Sequence, residues 1–409
     1  MAVEVRVVGV EERARFATVT AAAFYSHASA EEDDGSDVSA VQEGRAIGAY
    51  VDGELVGTAR ELPLEVTLPG FALSAMCGVA AVGVLPTYRR QGLLWRMMRY
   101  QLEQAHERGD ALSGLNASEG GIYGRYGYGI ATFIVSWVLE RRSLQSLCEG
   151  TGDGRLQLVG REEARRLLPL VQDRVRRSRV GDVSPTEWWW EGVLGATTGH
   201  AEGPGGKFFA VHSGLDGAVD GGLVFRVPGK GAGERAVEVD YLEAESPGGY
   251  RALFALMRDL DLAESIMAHH RPGDEALAFM LGNPRDLRIT AVRDWLWLRL
   301  IDVPRALSDR TYAVPGSVVL EVEDPACPWN EGRWELSGGP DGASCVRARI
   351  GVPAEVTLAV GTLASIYLGG VSVKSLVLSG RVGELVPGAA TRLAKMVTSD
   401  QLPYCSTSF

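Results

Sequence analysis

The most constraining feature of this sequence is an apolar strand that ends at a proline and leads through two arginines and a glycine into an amphipathic helix. The strand reaches Leu85, Pro86 follows, and Arg89-Arg90-Gln91-Gly92-Leu93 opens the helix that the apolar spacing predicts over 91–108. A helix that begins in this way directs unpaired backbone N–H groups and the positive end of its dipole toward one point. Such a point suits an anion, and the layout indicates a pyrophosphate.

The arginine–glycine pattern alone is common, and an ordinary capped helix would also show it. The strand before it and the helix after it favour the phosphate interpretation. Backbone N–H groups of residues 90 to 94 would then bind the pyrophosphate, with charge from Arg89 and Arg90. Gly92 would allow phosphate oxygens to approach the backbone closely. If the strand diverges from its neighbour, backbone groups near Val82 and Val84 become free to pair with an amide-rich ligand and to polarise a carbonyl. Otherwise, the two are core valines.

A second feature is the glycine- and tyrosine-dense turn Ser118–Gly129. A phenol, with an ordinary pKa near 10, suits the protonation of a leaving thiolate. Tyr123 is the first candidate because it stands at a predicted helix start, and Tyr126 and Tyr128 remain alternatives.

The third feature is the terminal residue, Phe409, which carries an α-carboxylate. Chain ends are usually frayed and without function, and composition alone favours that interpretation. Together, the strand–arginine–glycine–helix layout, the tyrosine turn and this terminus suggest an acetyl-CoA-dependent N-acetyltransferase.

Size and composition indicate a multidomain globular protein. A chain of 409 residues is too long for one core. The net charge of −11 argues against nucleic acid and would concentrate cationic substrates, or else serves solubility alone. The sequence lacks an 18-residue apolar run and a secretory leader, so we expect a cytoplasmic protein without a membrane span. The five scattered cysteines predict buried free thiols and no metal site.

Patterns along the chain predict three domains, at 1–149, 150–290 and 291–409. The first has a helix over 11–25, with Phe24 among its core residues, an acidic loop over 29–39 and a hairpin at Asp52-Gly53. A strand over 131–140 closes it. A glycine-rich linker over 149–154 follows.

The second predicted domain repeats the order of hairpin, long strand and helix without the arginine–glycine motif. Its glycine-rich segment 228–233 joins two strands and is interpreted as a hairpin loop rather than a phosphate loop. The third is an α+β unit that begins near a buried strand over 295–300 and ends in a tail, 400–409, without helix or strand pattern.

The sequence resembles the GCN5-related N-acetyltransferases, whose cofactor motif is Q/R-x-x-G-x-G/A. The string Arg89-Arg90-Gln91-Gly92-Leu93-Leu94 matches it, except that Leu94 replaces a small residue. Over its whole length the chain resembles the enhanced intracellular survival (Eis) family of acetyltransferases, on the strings Val84–Leu94, Ala117–Gly129 and Leu296–Arg299.

The resemblance implies two tandem acetyltransferase-like folds, of which only the first binds acetyl-CoA, then a sterol-carrier-like α+β fold, in a hexamer. It implies that Tyr123 is the general acid and the carboxylate of Phe409 the general base of a direct transfer in a ternary complex. Ser118 falls near the thioester and pantetheine. The residues expected to contact the acceptor are Phe24, Ala81, Trp190 and Ser408.

Two positions depart from the aminoglycoside-acetylating relatives. These carry an aromatic residue where Ala81 stands and an acidic residue where Ser408 stands. Both changes should weaken the hold on a polycationic sugar. We expect an aminoglycoside-like cationic amine as acceptor; the alternatives are a protein lysine, or a non-catalytic role in binding an acyl lipid.

Overall fold

The computed structural model describes residues 2–26, 40–147, 154–195, 206–227 and 236–409. The predicted acidic loop 29–39, all but the last residue of the linker 149–154, the segment 228–233 and Cys148 lie outside the described residues. The chain divides into two compact units. Unit 1 comprises Met1–Thr132, Trp295–Asp400 and Phe409, and unit 2 comprises Phe133–Asp294 and Gln401–Ser408. The domain boundaries at 149/150 and 290/291 stay predictions.

The strands of the described residues are β1 (Val3–Val7), β2 (Ala46–Val51), β3 (Glu54–Thr67), β4 (Leu73–Val84), β5 (Leu112–Asn116), β6 (Gly129–Ile130), β7 (Phe133–Glu140), β8 (Arg155–Val159), β9 (Lys207–Ser213), β10 (Val219–Arg226), β11 (Ala236–Ala244), β12 (Ser265–Arg271), β13 (Arg288–Asp294), β14 (Leu296–Leu300), β15 (Gly316–Glu323), β16 (Gly332–Gly339), β17 (Gly342–Arg347), β18 (Val356–Ala359) and β19 (Val382–Glu384).

The α-helices of the described residues are α1 (Arg13–Ala23), α2 (Leu93–Glu107), α3 (Arg161–Arg176), α4 (Glu187–Leu194), α5 (Pro247–Arg258), α6 (Val303–Ser308), α7 (Val360–Ile366), α8 (Val373–Leu378) and α9 (Ala389–Val397). Among the described residues, no helix is long and apolar enough to cross a membrane.

The first sheet of unit 1 has the order β1-β2-β3-β4-β5-β14-β6. Its β2–β3 hairpin turns at Asp52 and Gly53, whose φ angles are 48° and 87°. Two successive positive φ angles match the turn to the twist of the strands, so the predicted hairpin is confirmed. The predicted buried strand near residue 295 is confirmed too, because β14 lies between β5 and β6 and every one of its residues is buried.

Helix α2 packs one apolar stripe on this sheet, with Leu93, Met97, Met98 and Leu102 at 2% exposure or less. Gly92 precedes it in the left-handed conformation, and Gly109, with φ of 79°, follows its end. The helix begins two residues later than the predicted start at 91, since the left-handed backbone of Gly92 cannot be part of it.

The second sheet of unit 1 has the order β17-β16-β15-β18-β19, with helices α6 to α9 in the same segment of chain. A fully buried ion pair connects it to β14. Both Asp324 oxygens accept from Nη2 of Arg299 at 2.7 Å, and Arg299 Nε donates to the Tyr126 carbonyl at 2.9 Å. The pair therefore fixes the tyrosine turn as well as the junction of the two sheets.

Unit 2 contains one seven-stranded sheet, in the order β13-β7-β12-β11-β10-β9-β8. The predicted assignment of strand 131–140 to the first fold is wrong, because β7 pairs with β12 and β13. Trp137 and Leu139 on β7 are buried in the core of unit 2, which explains the placement. Helix α5 starts at Ser246 and Pro247, without the arginines and glycine that precede α2.

Candidate active site

Unit 1 contains a cavity of about 630 Å³. The end of α1, the end of β4, the turn before α2, the first residues of α2 and the turn over 118–126 form its wall. The cavity brings together these predicted site residues: Phe24, Val82, Val84, Arg89, Arg90, Gly92, Leu93, Leu94 and Ser118. Phe24, expected in the core, instead lies just after α1 with 49% of its surface exposed.

Strand β4 diverges from β5 beside this cavity. The two strands pair in parallel from Met76↔Leu112 to Gly78↔Gly114, and β4 continues for six more residues without pairing to β5. The backbone of β4 beyond Gly78 therefore has a free edge on that side. The sequence analysis required β4 to diverge from its neighbour if backbone groups near Val82 and Val84 were to be free, and the two strands do diverge.

A β-bulge at Ala81 bends the same part of β4. The register with β3 shifts between Thr58↔Gly83 and Arg60↔Ala80, which leaves one extra residue on β4. Ala81 has a φ of 52°, and its carbonyl accepts from the Thr58 hydroxyl at 3.2 Å. A bulge of this kind increases the local twist and changes the direction of neighbouring backbone groups. Ala81 does not itself line the cavity.

The N-terminus of α2 presents unsatisfied backbone donors to the cavity. Gly92 has a φ of 78°, no side chain caps the helix, and its first turn contains no acidic residue. The Arg96 N–H donates to the Gly92 carbonyl at 3.2 Å, so the N–H groups before it lack an acceptor within the helix. A Cβ on Gly92 would meet no heavy atom within 4 Å, which shows that the space before the helix is open.

The two arginines before this helix differ in their contacts. Arg89 donates to the Val84 carbonyl at 3.1 Å, the Ala23 carbonyl at 3.1 Å and the Tyr25 phenol at 2.7 Å. Arg90 has a φ of 63°, is exposed, and forms no side-chain hydrogen bond or ion pair within the described residues. Arg89 therefore holds the wall of the cavity, and the guanidinium of Arg90 is available. Gln91 is exposed and does not line the cavity.

The three candidate tyrosines occupy different environments. Tyr128 is fully buried and shares a 2.8 Å hydrogen bond with Ser113, so it packs in the core. Tyr123 is 6% exposed, and burial raises its pKa to about 12. Burial also raises the pKa of Tyr126, which lines the cavity, whereas Tyr123 does not. Neither of these last two phenols has a hydrogen-bond partner among the residues described.

Phe409 is ordered against the first sheet of unit 1. Its backbone N–H donates to Oδ1 of Asn116 at 3.1 Å, and a Cβ placed on Gly78 would lie 3.3 Å from its Cδ2. Gly78 is the last residue of β4 to pair with β5, and Asn116 is the last residue of β5. The terminal residue therefore lies at the divergence of the two strands. The expectation of a frayed terminus, drawn from composition, is wrong.

The preceding residues of the tail pack in unit 2, without helix or strand, as predicted. Asp182 accepts from the backbone N–H and the hydroxyl of Ser406 at 2.8 and 2.9 Å. The Cys405 carbonyl lies 2.8 Å from Nε2 of His270. Burial raises the pKa of the Asp182 carboxyl from an ordinary 3.8 to about 6. The described cysteines, Cys77, Cys327, Cys345 and Cys405, are buried free thiols, as predicted.

Two predicted acceptor-contacting residues also belong to unit 2. Trp190 is 5% exposed and packs against Trp189 and Tyr241, with ring centroids 4.7 and 5.6 Å apart. Ser408 lines a cavity of about 510 Å³ together with Trp188, Trp189 and the ion pair of Lys207 and Asp240, in which Nζ lies 3.0 Å from Oδ2.

Sequence reasoning missed four residues that organise these sites: Tyr25, Thr58, Asn116 and Asp182. Each acts through a partner distant in sequence, as when Asn116 meets a residue 293 positions away. Asn116 alone had a local signal, since it lies two residues before the glycine- and tyrosine-rich turn.

Comparison with protein families yields three matches. Residues 4–131 and 181–300 each match an acetyltransferase (GNAT) domain, and residues 303–406 match a sterol carrier protein domain. The expected succession of two acetyltransferase folds and a sterol-carrier-like fold is thus confirmed.

Two relatives and one solved structure match most of the length of this chain. An uncharacterized N-acetyltransferase of Streptomyces avermitilis is 36% identical over 89% of this chain and 88% of its own. The N-acetyltransferase Eis of Mycobacterium tuberculosis is 31% identical over 82% of this chain and 81% of its own. The crystal structure of Eis1 from Mycobacterium abscessus superposes with a TM-score of 0.85 at 29% identity, covering 99% of this chain and all of that one. The chain therefore belongs to the Eis family of GCN5-related N-acetyltransferases.

Proposed function

We propose that the protein transfers the acetyl group of acetyl-CoA to a primary amine of a cationic, aminoglycoside-like small molecule, by direct attack in a ternary complex. One observation carries this proposal. The diverging part of β4, from Gly78 to Val84, has a free strand edge, with Phe409 beside its first residue and the uncapped N-terminus of α2 in the cavity wall at its last. Acetyl-CoA supplies an activated thioester, and its pantetheine amides and pyrophosphate need the two kinds of backbone group found here.

The residues of the cavity fit such a donor. The free edge of β4 near Val82 and Val84 offers N–H and C=O groups for an amide-rich arm and an N–H for the oxyanion. Backbone N–H groups at Leu93 and Leu94 suit a pyrophosphate, with Arg90 as the nearby cation. Ser118 is placed in the same wall, where the family resemblance puts the thioester.

Tyr123 is the proposed general acid. Burial raises its pKa to about 12, so the phenol stays protonated at neutral pH and can donate to the leaving thiolate. Tyr126 is the second candidate, because it lines the cavity. Tyr128 is the weakest candidate, since its hydroxyl is buried and hydrogen-bonded to Ser113.

The carboxylate of Phe409 is the proposed general base. It would accept a proton from the substrate ammonium, alone or through a water, before the amine attacks. Support comes from the position of Phe409, which is partly buried and held by Asn116 beside Gly78.

The acceptor is inferred from charge and resemblance. A net charge of −11 favours cationic substrates. Ala81 offers no aromatic wall and Ser408 no carboxylate, so we infer weaker binding of polycationic sugars than in relatives that have both. A protein lysine would use the same chemistry. We also infer a hexamer from the resemblance, which the mass in solution would test.

The decisive experiment incubates the purified protein with acetyl-CoA and, separately, a polyamine, an aminoglycoside and a lysine peptide, with release of free CoA thiol as the readout. The proposal expects acceptor-dependent release, fastest with a small polycation. If free CoA thiol is released with the lysine peptide and with neither small molecule, the acceptor is a protein lysine instead of a small cationic amine. Absence of binding of acetyl-CoA in calorimetry would contradict the proposal and favour a lipid-binding role.

A further inference from the structure

Asn116 lies at a point where the sheet opens. It is the last residue of β5 and pairs with Leu296 of β14. On the other side of β5, pairing with β4 has already ended at Gly78↔Gly114. The side chain of Asn116 is thus attached to a strand that neighbours the divergence, while its backbone is held by β14.

Both ends of the Asn116 amide are in use. Oδ1 accepts from the backbone N–H of Phe409 at 3.1 Å, and Nδ2 donates to the Trp295 carbonyl at 3.3 Å. The two partners require opposite ends of the amide, so a flipped side chain would lose both hydrogen bonds. Trp295 therefore fixes the orientation in which Asn116 can receive the terminal residue.

Within unit 1, Phe409 contacts the first sheet through its ring and its backbone N–H. Its ring packs over Gly78, where a Cβ would lie 3.3 Å from Cδ2 of Phe409 and 2.5 Å from Cδ1 of Leu64. The hydrogen bond to Asn116 is the polar contact of its backbone N–H. Since the α-carboxylate is two bonds from that nitrogen, whatever fixes the N–H restricts where the carboxylate oxygens can be.

We propose that Asn116 is a positioning residue, whose side-chain carbonyl holds the backbone N–H of Phe409 and so places the terminal carboxylate for proton transfer. This inference rests on the proposed function, in which that carboxylate is the base. Asn116 does not line the cavity proposed for acetyl-CoA. Its loss should therefore affect turnover much more than the KM for acetyl-CoA.

The first test compares two Asn116 variants and one control variant with the wild type, by steady-state kinetics across pH. Asn116→Ala should reduce kcat about 10²-fold, the effect of a misplaced reacting group, with the KM for acetyl-CoA within about twofold of the wild type. Asn116→Asp keeps the acceptor and should recover much of that loss. Its added charge should also move the acid limb of the kcat profile to higher pH, because it favours the protonated terminal carboxylate. A merely structural role for Asn116 would not move this limb.

Thr132→Val is the matched control. The Thr132 hydroxyl is buried and accepts from the Leu296 N–H at 3.0 Å, so its removal perturbs the same strand, β14, without touching Phe409. The variant should melt at a lower temperature and keep kcat within about twofold of the wild type. An equal loss of kcat in Thr132→Val and Asn116→Ala would overturn the inference.

A second test changes the donor instead of the acceptor, and it leaves the sheet intact. Phe409→Pro retains a terminal carboxylate but has no backbone N–H, whereas Phe409→Ala loses the ring and keeps the N–H. The proline variant should be at least 10-fold slower than the alanine variant. In an Asn116→Ala background the two should become equal, since the acceptor is gone. Equal rates in the wild-type background would overturn the inference even if Asn116→Ala failed to fold.

A C-terminal extension separates this inference from the proposed function, because it converts the carboxylate to an amide. A tagged enzyme that is inactive, together with an Asn116→Ala enzyme of full activity, would overturn the role of Asn116 alone. A tagged enzyme of full activity would overturn both the base and its positioning.

Discussion

The guanidinium of Arg89 donates to the phenol of Tyr25 across 2.7 Å, and it also binds the carbonyls of Ala23 and Val84. It therefore ties the end of α1 to the end of β4, two parts of the cavity wall. Arg90, the next residue, makes no such contacts among the described residues. Two adjacent arginines that look equivalent in the motif thus have different roles.

This difference predicts different phenotypes for the two alanine variants. Arg90→Ala should raise the KM for acetyl-CoA about 10-fold, as expected for the loss of a charge-assisted contact worth about 1.5 kcal/mol, and the effect should shrink at high salt. Its melting temperature should not change. Arg89→Ala should lower the melting temperature as well as the affinity. Kinetics at two ionic strengths and thermal melts check both, and the reverse assignment of the two phenotypes would contradict the structure.

Gly92 offers a prediction with a built-in control. Gly92→Val should abolish binding of acetyl-CoA in calorimetry, because a side chain at a φ of 78° strains the turn and fills the approach to the helix N-terminus. Gly109, at the other end of α2, has nearly the same φ of 79°. Gly109→Val should therefore cost similar stability and leave the affinity unchanged. If Gly92→Val binds acetyl-CoA with undiminished affinity, the pyrophosphate does not bind at this turn.

The tyrosine turn predicts a separation of binding from turnover. Tyr123→Phe should leave the affinity for acetyl-CoA nearly intact and reduce kcat by about 10²–10⁴-fold, the usual contribution of general acid catalysis. Tyr128→Phe should mainly reduce stability, because it removes the buried partner of Ser113. Calorimetry and thiol-release kinetics on the three phenylalanine variants would decide the assignment. If Tyr126→Phe is the inactive variant and Tyr123→Phe is active, the acid is Tyr126.

Asp182 predicts a pH dependence of stability in unit 2. Burial raises the pKa of its carboxyl from 3.8 to about 6, so between these pH values the folded state holds a proton that the unfolded state has lost. Stability should therefore fall as pH rises through this window, by about 3 kcal/mol, and level off above it.

Asp182→Asn removes this titration and keeps an oxygen acceptor for Ser406. The difference in unfolding free energy between variant and wild type should then shift in favour of the variant from pH 4 to pH 6. Glu243 does not cancel in this difference, because the charge of Asp182 contributes, after burial, to its raised pKa, so variant and wild type are compared in a Glu243→Gln background. Urea unfolding at several pH values measures it, and parallel curves for the two proteins would contradict the prediction.

Local patterns predicted the order of the folds and several of the turns, including the one before α2 that lines the cavity. A proline after an apolar strand, a glycine before an amphipathic stripe and an Asp-Gly hairpin each restrict the backbone of a few neighbouring residues, and the structure has all three. The assignment of strand 131–140 to the first fold failed for the opposite reason. An apolar strand suits either sheet, and only the partners β12 and β13 determine where it pairs.

The sequence by itself determined the order of the folds, the glycine that precedes α2 and the family, because these depend on residues near one another in the chain. Only the tertiary structure decided that Arg89 binds Ala23 and Tyr25, and that the N–H of Phe409 meets Asn116. Such contacts join segments far apart in sequence, and packing selects them from many partners of equal chemistry. No local pattern distinguishes one buried carbonyl or amide from another.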